Sequence, residues 1–189
     1  MIELKNINKS FEGRQVLKNL NLTLETAPYA LMGRSGVGKT TIVNILTGLV
    51  SPDSGSITGL DNTRISITFQ EDRLIETASV IDNVLLPSKS PKENKHGAIE
   101  LLSKFELGHV ANNKVHTLSG GMKRRVAICR SLIKPFDLLI LDEPFKGLDE
   151  VTRTFCIDIV KSYVKDKTLL LITHDKEEAK YLDAHRINL

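Results

Sequence analysis

No stretch of this sequence is apolar for long enough to cross a membrane. The longest runs, such as those at 137–142 and 168–173, fall far short of the ~20 residues a span needs. Any membrane role must therefore come through a partner. Charge of one sign is also missing: 26 basic and 23 acidic residues leave a net charge of only +3, which gives no support to a general nucleic-acid binder. Cysteine is scarce. Cys129 and Cys156 have no metal-ligand spacing, and each falls inside an apolar helical pattern, as reduced core thiols do. With no secretory signal pattern in view, such thiols point to a cytosolic protein. There is no internal repeat and no low-complexity segment.

The chain is 189 residues long and 41% hydrophobic, enough for one domain with a packed core. "LNLTL" (20–24) and "ISITF" (65–69) alternate apolar and polar residues as half-buried strands do. "PYALM" (28–32), "DLLILD" (137–142) and "TLLLIT" (168–173) are short enough and apolar enough for buried strands. Between these lie helical patterns. Ile42, Ile45, Leu46 and Leu49 share one face, as do Met122, Val126, Cys129 and Ile133, and Phe155, Ile159 and Tyr163. Ser119 and Asp149 are placed to cap the second and third of these helices. "SPDSGS" (51–56) reads as a turn. Residues 71–118 are expected to form a helical insertion, with short helices at 78–86 and 98–107 and a polar loop at 87–97. Strands alternating with crossover helices imply an α/β fold with a mostly parallel sheet.

"GRSGVGKT" (33–40) matches G-x-x-x-x-G-K-[ST] and lies between a strand and a helix, the context that gives the pattern meaning. The glycines let the backbone approach a ligand, and exposed N–H groups at a helix start favour phosphate. The backbone of Gly33, Arg34, Ser35, Gly36, Val37 and Gly38 would cradle the phosphates. Lys39 would reach the β- and γ-phosphates, Thr40 would bind Mg²⁺, and Thr41 would add a hydroxyl near the α-phosphate. "LLILDEP" (138–144) ends a strand in two carboxylates, where parallel sheets gather ligands. Asp142 there can hold Mg²⁺ through water. Glu143 can polarise an attacking water. His174, in "THD", follows the next strand and is placed to contact a γ-phosphate and orient Glu143.

"TLSGGMKRR" (117–125) sets Ser119, Gly120 and Gly121 directly before Lys123, Arg124 and Arg125. Three readings suit it: a turn before a solvated helical face, a nucleic-acid patch, or half of a phosphate site. Cations are unfavourable in the first turn of a helix, so their presence fits an anion nearby.

Taken in order, "GRSGVGKT", Gln70, "LSGGM", "LLILDEP", "GLD" (147–149) and His174 resemble the ATP-binding cassette (ABC) family, over nearly the whole chain. The resemblance implies a P-loop core at 1–70 and 119–189, with a small antiparallel β part and a helical subdomain at 71–118, all forming a single ATPase domain. Only positions 40–69 separate Lys39 from Gln70, so the antiparallel part is expected to be trimmed. The resemblance also implies a homodimer of cassettes. Each ATP would lie between one subunit's phosphate loop and the other's Ser119, Gly120 and Gly121, with the start of that helix left open to the γ-phosphate. Gln70 would contact the metal and the attacking water, and Phe11 would stack on adenine. Glu143 would be the general base. Where this chain has Met122 the family usually has Gln.

"FQEDRLIETASVIDNVLLP" (69–87) and "DEPFKGLD" (142–149) are similar to bacterial importer cassettes of the nitrate, sulfonate and taurine type, which move small anions or vitamin precursors. This implies transmembrane permease subunits docked after Gln70, near Leu74, Ile75 and Val80. It also implies a solute-binding protein, a peripheral location on the cytoplasmic side of the cell membrane, and no nucleic-acid partner. Soluble repair members of the family differ in carrying long coiled coils before the signature, where this chain has a short helical region.

Overall fold

The computed structural model describes residues 1–189. The elements in chain order are β1 (Ile2–Phe11), β2 (Arg14–Leu24), β3 (Pro28–Met32), α1 (Lys39–Leu46), β4 (Ser54–Thr58), β5 (Ile65–Thr68), α2 (Val80–Leu85), α3 (Pro91–Lys104), α4 (Gly120–Leu132), β6 (Leu138–Asp142), α5 (Glu150–Tyr163), β7 (Thr168–Ile172), α6 (Lys176–Tyr181) and β8 (His185–Asn188). Five strands form a sheet of order β5-β6-β7-β3-β8, in which β3 pairs parallel with both β7 and β8. The small sheet β2-β1-β4 is antiparallel throughout. This is the mixed α/β architecture expected from the sequence.

Two compact units emerge. The first comprises residues 1–65, 137–140 and 166–189, and the second residues 66–136 and 141–165. In the first unit, β1 and β2 are joined by Glu12 and Gly13, with φ of 49° and 79°. Positive φ at both central residues is the tight-hairpin geometry that matches strand twist. It leaves Phe11 at the hairpin tip, paired with Arg14. The core of this unit is built from β3 and β7, whose Ala30, Leu31, Leu170 and Leu171 are fully buried, together with Ile42 and Leu46 of α1. In the second unit α2 packs against α3 and α4, around Val80, Leu102, Phe105 and Val126.

Several expectations need correction. Leu49 does not share the buried face of α1. The helix stops at Leu46, where the N–H of Gly48 donates to Ile45 O at 3.1 Å and that of Leu49 to Asn44 O at 2.8 Å. This double reverse bond closes the helix end and turns Leu49 outward, 62% exposed. Residues 91–97 are not loop but the first half of α3, with Pro91 in its first turn. Proline costs nothing there, because that N–H would be unpaired anyway. The segment is polar because it faces solvent, and a run without an apolar face is indistinguishable from loop by composition. Ser54–Ser56 belong to β4 rather than to a turn. The buried face of α5 is Cys156, Ile157 and Val160, one position on from the face expected. Val80 is wholly buried within its own unit. It therefore offers nothing to a docking partner.

The two thiols behave as expected. Both are buried, and burial pushes Cys156 up to about 12 and Cys129 well above its ordinary value. Thiols so disfavoured as thiolates are poor nucleophiles.

At the entries to β5 and β6 a forked pair joins Arg64 to Asp137. Arg64 Nη2 donates to Asp137 Oδ1 at 2.6 Å and Nε to Oδ2 at 2.9 Å, and the Arg64 backbone N–H adds a bond of 2.9 Å to Oδ2. These donors hold the Asp137 carboxyl well below the usual carboxylate range. A carboxyl depressed by folding contributes stability above its unfolded pKa of about 3.9 and loses that contribution as pH falls toward the folded value. Asp137→Asn should therefore lower the urea midpoint at neutral pH, and its deficit against the unsubstituted chain should shrink as pH drops below about 4. A deficit that is the same at every pH would show that the ion pair is not its source.

Candidate functional site

The first unit holds Phe11, the phosphate-loop residues and His174; the second holds Gln70, the 118–122 segment, Asp142 and Glu143. Each follows from a local structural cause.

In the first unit, β3 ends at Met32 and the chain turns through 33–38 into α1. Gly36 and Gly38 have φ of 79° and 112°. A side chain at Gly38 would also meet Leu17 Cδ2 at 2.7 Å, so only glycine suits this point. Gly38 is the N-cap of α1 and supplies no side-chain cap. The helix start is thus left to an external acceptor. Lys39 is only 8% exposed, and its Nζ donates to Gly33 O at 2.7 Å and Arg34 O at 3.0 Å. The loop is wrapped around its own ammonium group. Arg34, Ser35, Gly36 and Thr40 are exposed, while Val37 and Thr41 are half-buried. Phe11 is 43% exposed and carries the Lys9 ammonium 5.3 Å from its ring centroid. The ring is thus partly exposed rather than part of the core. His174 lies exposed in the turn between β7 and α6. Its flanks are fixed: Thr173 Oγ1 donates to Glu178 Oε2 at 2.5 Å, and Asp175 caps α6 through Glu177 N.

In the second unit, α4 begins at Gly120. Ser119 is its N-cap, and Ser119 Oγ accepts the Met122 N–H at 3.3 Å. The expected open helix start is therefore already capped by the serine. Gly120 is exposed and a Cβ there would meet nothing within 4 Å, so the approach to this backbone is clear.

The three cations that follow are each engaged by groups of the protein. Lys123 Nζ lies 3.0 Å from both Glu76 carboxylate oxygens. Arg125 Nη1 donates to Phe105 O at 2.9 Å. Arg124 is buried, 5% exposed, and its guanidinium is surrounded by oxygen. Nε donates to Pro144 O at 3.0 Å. Nη1 donates to Phe69 O and Gln70 O, both at 3.0 Å, and to Asp72 Oδ1 at 2.8 Å. Nη2 donates to Asp142 O at 2.8 Å and Glu143 O at 2.5 Å. Arg130, farther along α4, adds bonds to Asp72 O at 2.6 Å and Arg73 O at 2.7 Å. Helix α4 therefore grips the turn that carries Gln70 through two arginines. The sequence reading missed this role for Arg124. The signal was its spacing: Arg124, Ala127, Ile128 and Ser131 fall on one helical face, and all are buried.

Asp142 is the last residue of β6 and is 6% exposed. Glu143 follows with φ of 46°, a left-handed backbone that costs a residue other than glycine about 1–3 kcal/mol. Arg124 holds the Glu143 carbonyl in this conformation. The Glu143 carboxylate, its side chain 13% exposed, lies 2.9 Å from Lys146 Nζ. Lys146 and Asp72 are neighbours of these residues to which the sequence reading gave no role of their own. The oxygen donors Thr40, Gln70 and Asp142 have the hard character that suits Mg²⁺. That ion binds through one or two carboxylates and completes its shell with water and substrate phosphates rather than an all-protein cage.

Comparisons with known proteins identify the family. The pattern of the family described as ABC transporter matches residues 17–146. An aliphatic sulfonates import ATP-binding protein of Nocardia farcinica is 36% identical over 181 residues, covering 94% of this chain and 73% of the relative. A spermidine/putrescine import ATP-binding protein of Fusobacterium nucleatum is 35% identical, over 95% of this chain and 52% of its own length. Among solved structures, a dimeric bacterial ABC transporter cassette superposes with a TM-score of 0.90 at 31% identity, covering 100% of this chain and 94% of the other. A post-hydrolysis form of that cassette, bound to ADP and Pi, superposes with a TM-score of 0.87. A P-loop closed around Lys39, a capped glycine pair at the start of α4 and an acidic end to β6 thus occur in a chain that belongs to the ABC transporter family, as an ATP-binding cassette with ATPase activity.

Proposed function

We propose that this cassette drives a bacterial importer of a small anion, hydrolysing ATP between two copies of itself while docked on transmembrane permease subunits. The observation that carries the hydrolytic reading is the phosphate loop, folded around Lys39 with its helix start open to an external acceptor. The substrate class rests on the relatives named for aliphatic sulfonate import, 36% and 38% identical to this chain. The dimer rests on the dimeric cassette that superposes over the whole chain. No helix here is long and apolar enough to cross a membrane. Membrane association, on the cytoplasmic side, would come through the permease. Ile75 and Leu86 expose 46% and 53% of their surface beyond the Gln70 turn and are the apolar contacts available there. A solute-binding protein completes the proposed assembly, and residues 1–189 act in it as one cassette domain.

In the proposed mechanism, the phosphate-loop amides and Lys39 bind the β- and γ-phosphates and Phe11 stacks on adenine. Thr40, Gln70 and Asp142 hold Mg²⁺, which neutralises phosphate charge when bound. Ser119, Gly120 and Gly121 of the second copy complete the γ-phosphate contacts. Glu143 takes a proton from water as its oxygen bonds to the γ-phosphorus. The bond to the bridging oxygen breaks, giving ADP and phosphate. His174 and Gln70 orient the water and the γ-phosphate. Such catalysis is mostly positioning and electrostatics.

Two outcomes test this. Lys39→Ala removes the fixed cation of the loop, and losing a charge-assisted hydrogen bond of about 1.5–3 kcal/mol should weaken ATP binding by roughly 10–100-fold in a nucleotide titration. Unchanged affinity in a folded variant would remove Lys39 from the phosphate site. Glu143→Gln keeps the shape of the site but removes the proton acceptor, so turnover should fall at least about 100-fold while ATP still binds. The variant should then accumulate as an ATP-bound dimer by light scattering, and adding Ser119→Arg should return it to monomer. A Glu143→Gln chain that binds ATP and remains monomeric would contradict the sandwich.

A further inference from the structure

We infer that Arg124 is a positioning residue for hydrolysis: its guanidinium ties the Gln70 turn and the Glu143 backbone to the helix that starts at Ser119, giving all three one rigid mount. The inference rests on the reading of Glu143 as the base.

A guanidinium has five N–H donors in a fixed planar fork. Here they meet six acceptors: the carbonyls of Phe69, Gln70, Asp142, Glu143 and Pro144, and the Asp72 carboxylate. Every donor is used. Five of the six acceptors are main-chain oxygens, so the group fixes backbone rather than another side chain. They come from two chain segments, 69–72 and 142–144, that are far apart in sequence and that carry the proposed water-orienting, metal-binding and basic side chains. Glu143 gains most. Its left-handed φ of 46° is unfavourable for glutamate, and the bond from Arg124 Nη2 to its carbonyl holds that conformation. The direction of the Glu143 side chain follows from that φ. Arg124 itself is 5% exposed and makes no contact that would place it on nucleotide, so it acts through the groups it holds. Lysine could not replace it. An ammonium keeps the charge but puts three donors on one atom, which cannot span both segments.

The test is steady-state ATP hydrolysis and ATP binding by Arg124→Lys, with and without Glu143→Gln, checked for folding by thermal melting. Small misplacements of reacting groups cost up to about 100-fold in rate. Arg124→Lys should lower kcat at least about 10-fold on that scale. The ATP dissociation constant should stay within about 2-fold, because Lys39 is held by carbonyls of its own loop, Gly33 O and Arg34 O. In the Glu143→Gln chain the same change should leave the residual rate nearly unaltered, since groups that act as a unit are strongly non-additive. A merely structural role would instead weaken ATP binding along with kcat, or lower the residual rate of the Glu143→Gln chain by the same factor. Either result overturns the proposal, as does a folded Arg124→Lys with full kcat. Failure of the base assignment shows separately, as full turnover in Glu143→Gln alone. Should Arg124→Lys not fold, Asp72→Asn decides. It removes the one charge facing the guanidinium, at a half-buried position, and should lower kcat several-fold with KM for ATP unchanged; unaltered kcat overturns the proposal.

Discussion

A guanidinium removed from water must find oxygen for each of its N–H groups, or its burial costs several kcal/mol. In this chain that requirement shapes the end of the second unit that carries Gln70, Asp142 and Glu143. Arg124 projects from α4 into a position where water cannot reach it, and its surroundings are built from carbonyls that β6 and the Gln70 turn direct inward. Those carbonyls receive their donors from the cation. The cation in turn could not be buried without them. Such mutual dependence makes partial solutions unfavourable, because a half-satisfied polar network is worse than an apolar one.

The remaining cations of the same helix follow a related logic. Lys123 reaches Glu76, Arg125 reaches the end of α3, and Arg130 closes on Asp72 and Arg73. Positive charge in the first turn opposes the helix dipole by a few tenths of a kcal/mol to about 1 kcal/mol. Protein acceptors such as the Glu76 carboxylate and Phe105 O offset that cost. The start of α4 keeps only Ser119 and two glycines for any ligand, with the charge directed elsewhere. In the first unit the arrangement is the opposite: Lys39 turns back into its own loop and remains close to where phosphate would sit.

The strands were legible because burial on both faces leaves an unmistakable apolar run, as in "DLLILD" and "TLLLIT". The starts of α4 and α5 were legible because Ser119 and Asp149 cap them with their own side chains. The positions of the phosphate loop and of the β6 carboxylates could be read from spacing, since a glycine-rich turn before Lys39 and two acids after an apolar run are visible without any tertiary partner. What was hidden depends on tertiary partners. The first half of α3 has no apolar face, so nothing in its composition separated helix from loop. Leu49 fits the helical period of α1, but a bond from its N–H to Asn44 ends the helix before it. Arg124 was hidden most deeply. A basic residue in a basic run reads as solvated surface, and its five carbonyl partners leave no trace in side-chain identity.

The central claim is that the Gln70 turn, the Glu143 backbone and α4 form one body held by Arg124. A crystal structure of the Glu143→Gln chain with bound ATP tests it most directly. The account predicts that Arg124 keeps its bonds to the carbonyls of Phe69, Gln70, Asp142 and residue 143, with residue 143 still left-handed. A structure in which the guanidinium has left these carbonyls, or in which the 69–72 and 142–144 segments have separated while α4 is intact, would contradict it.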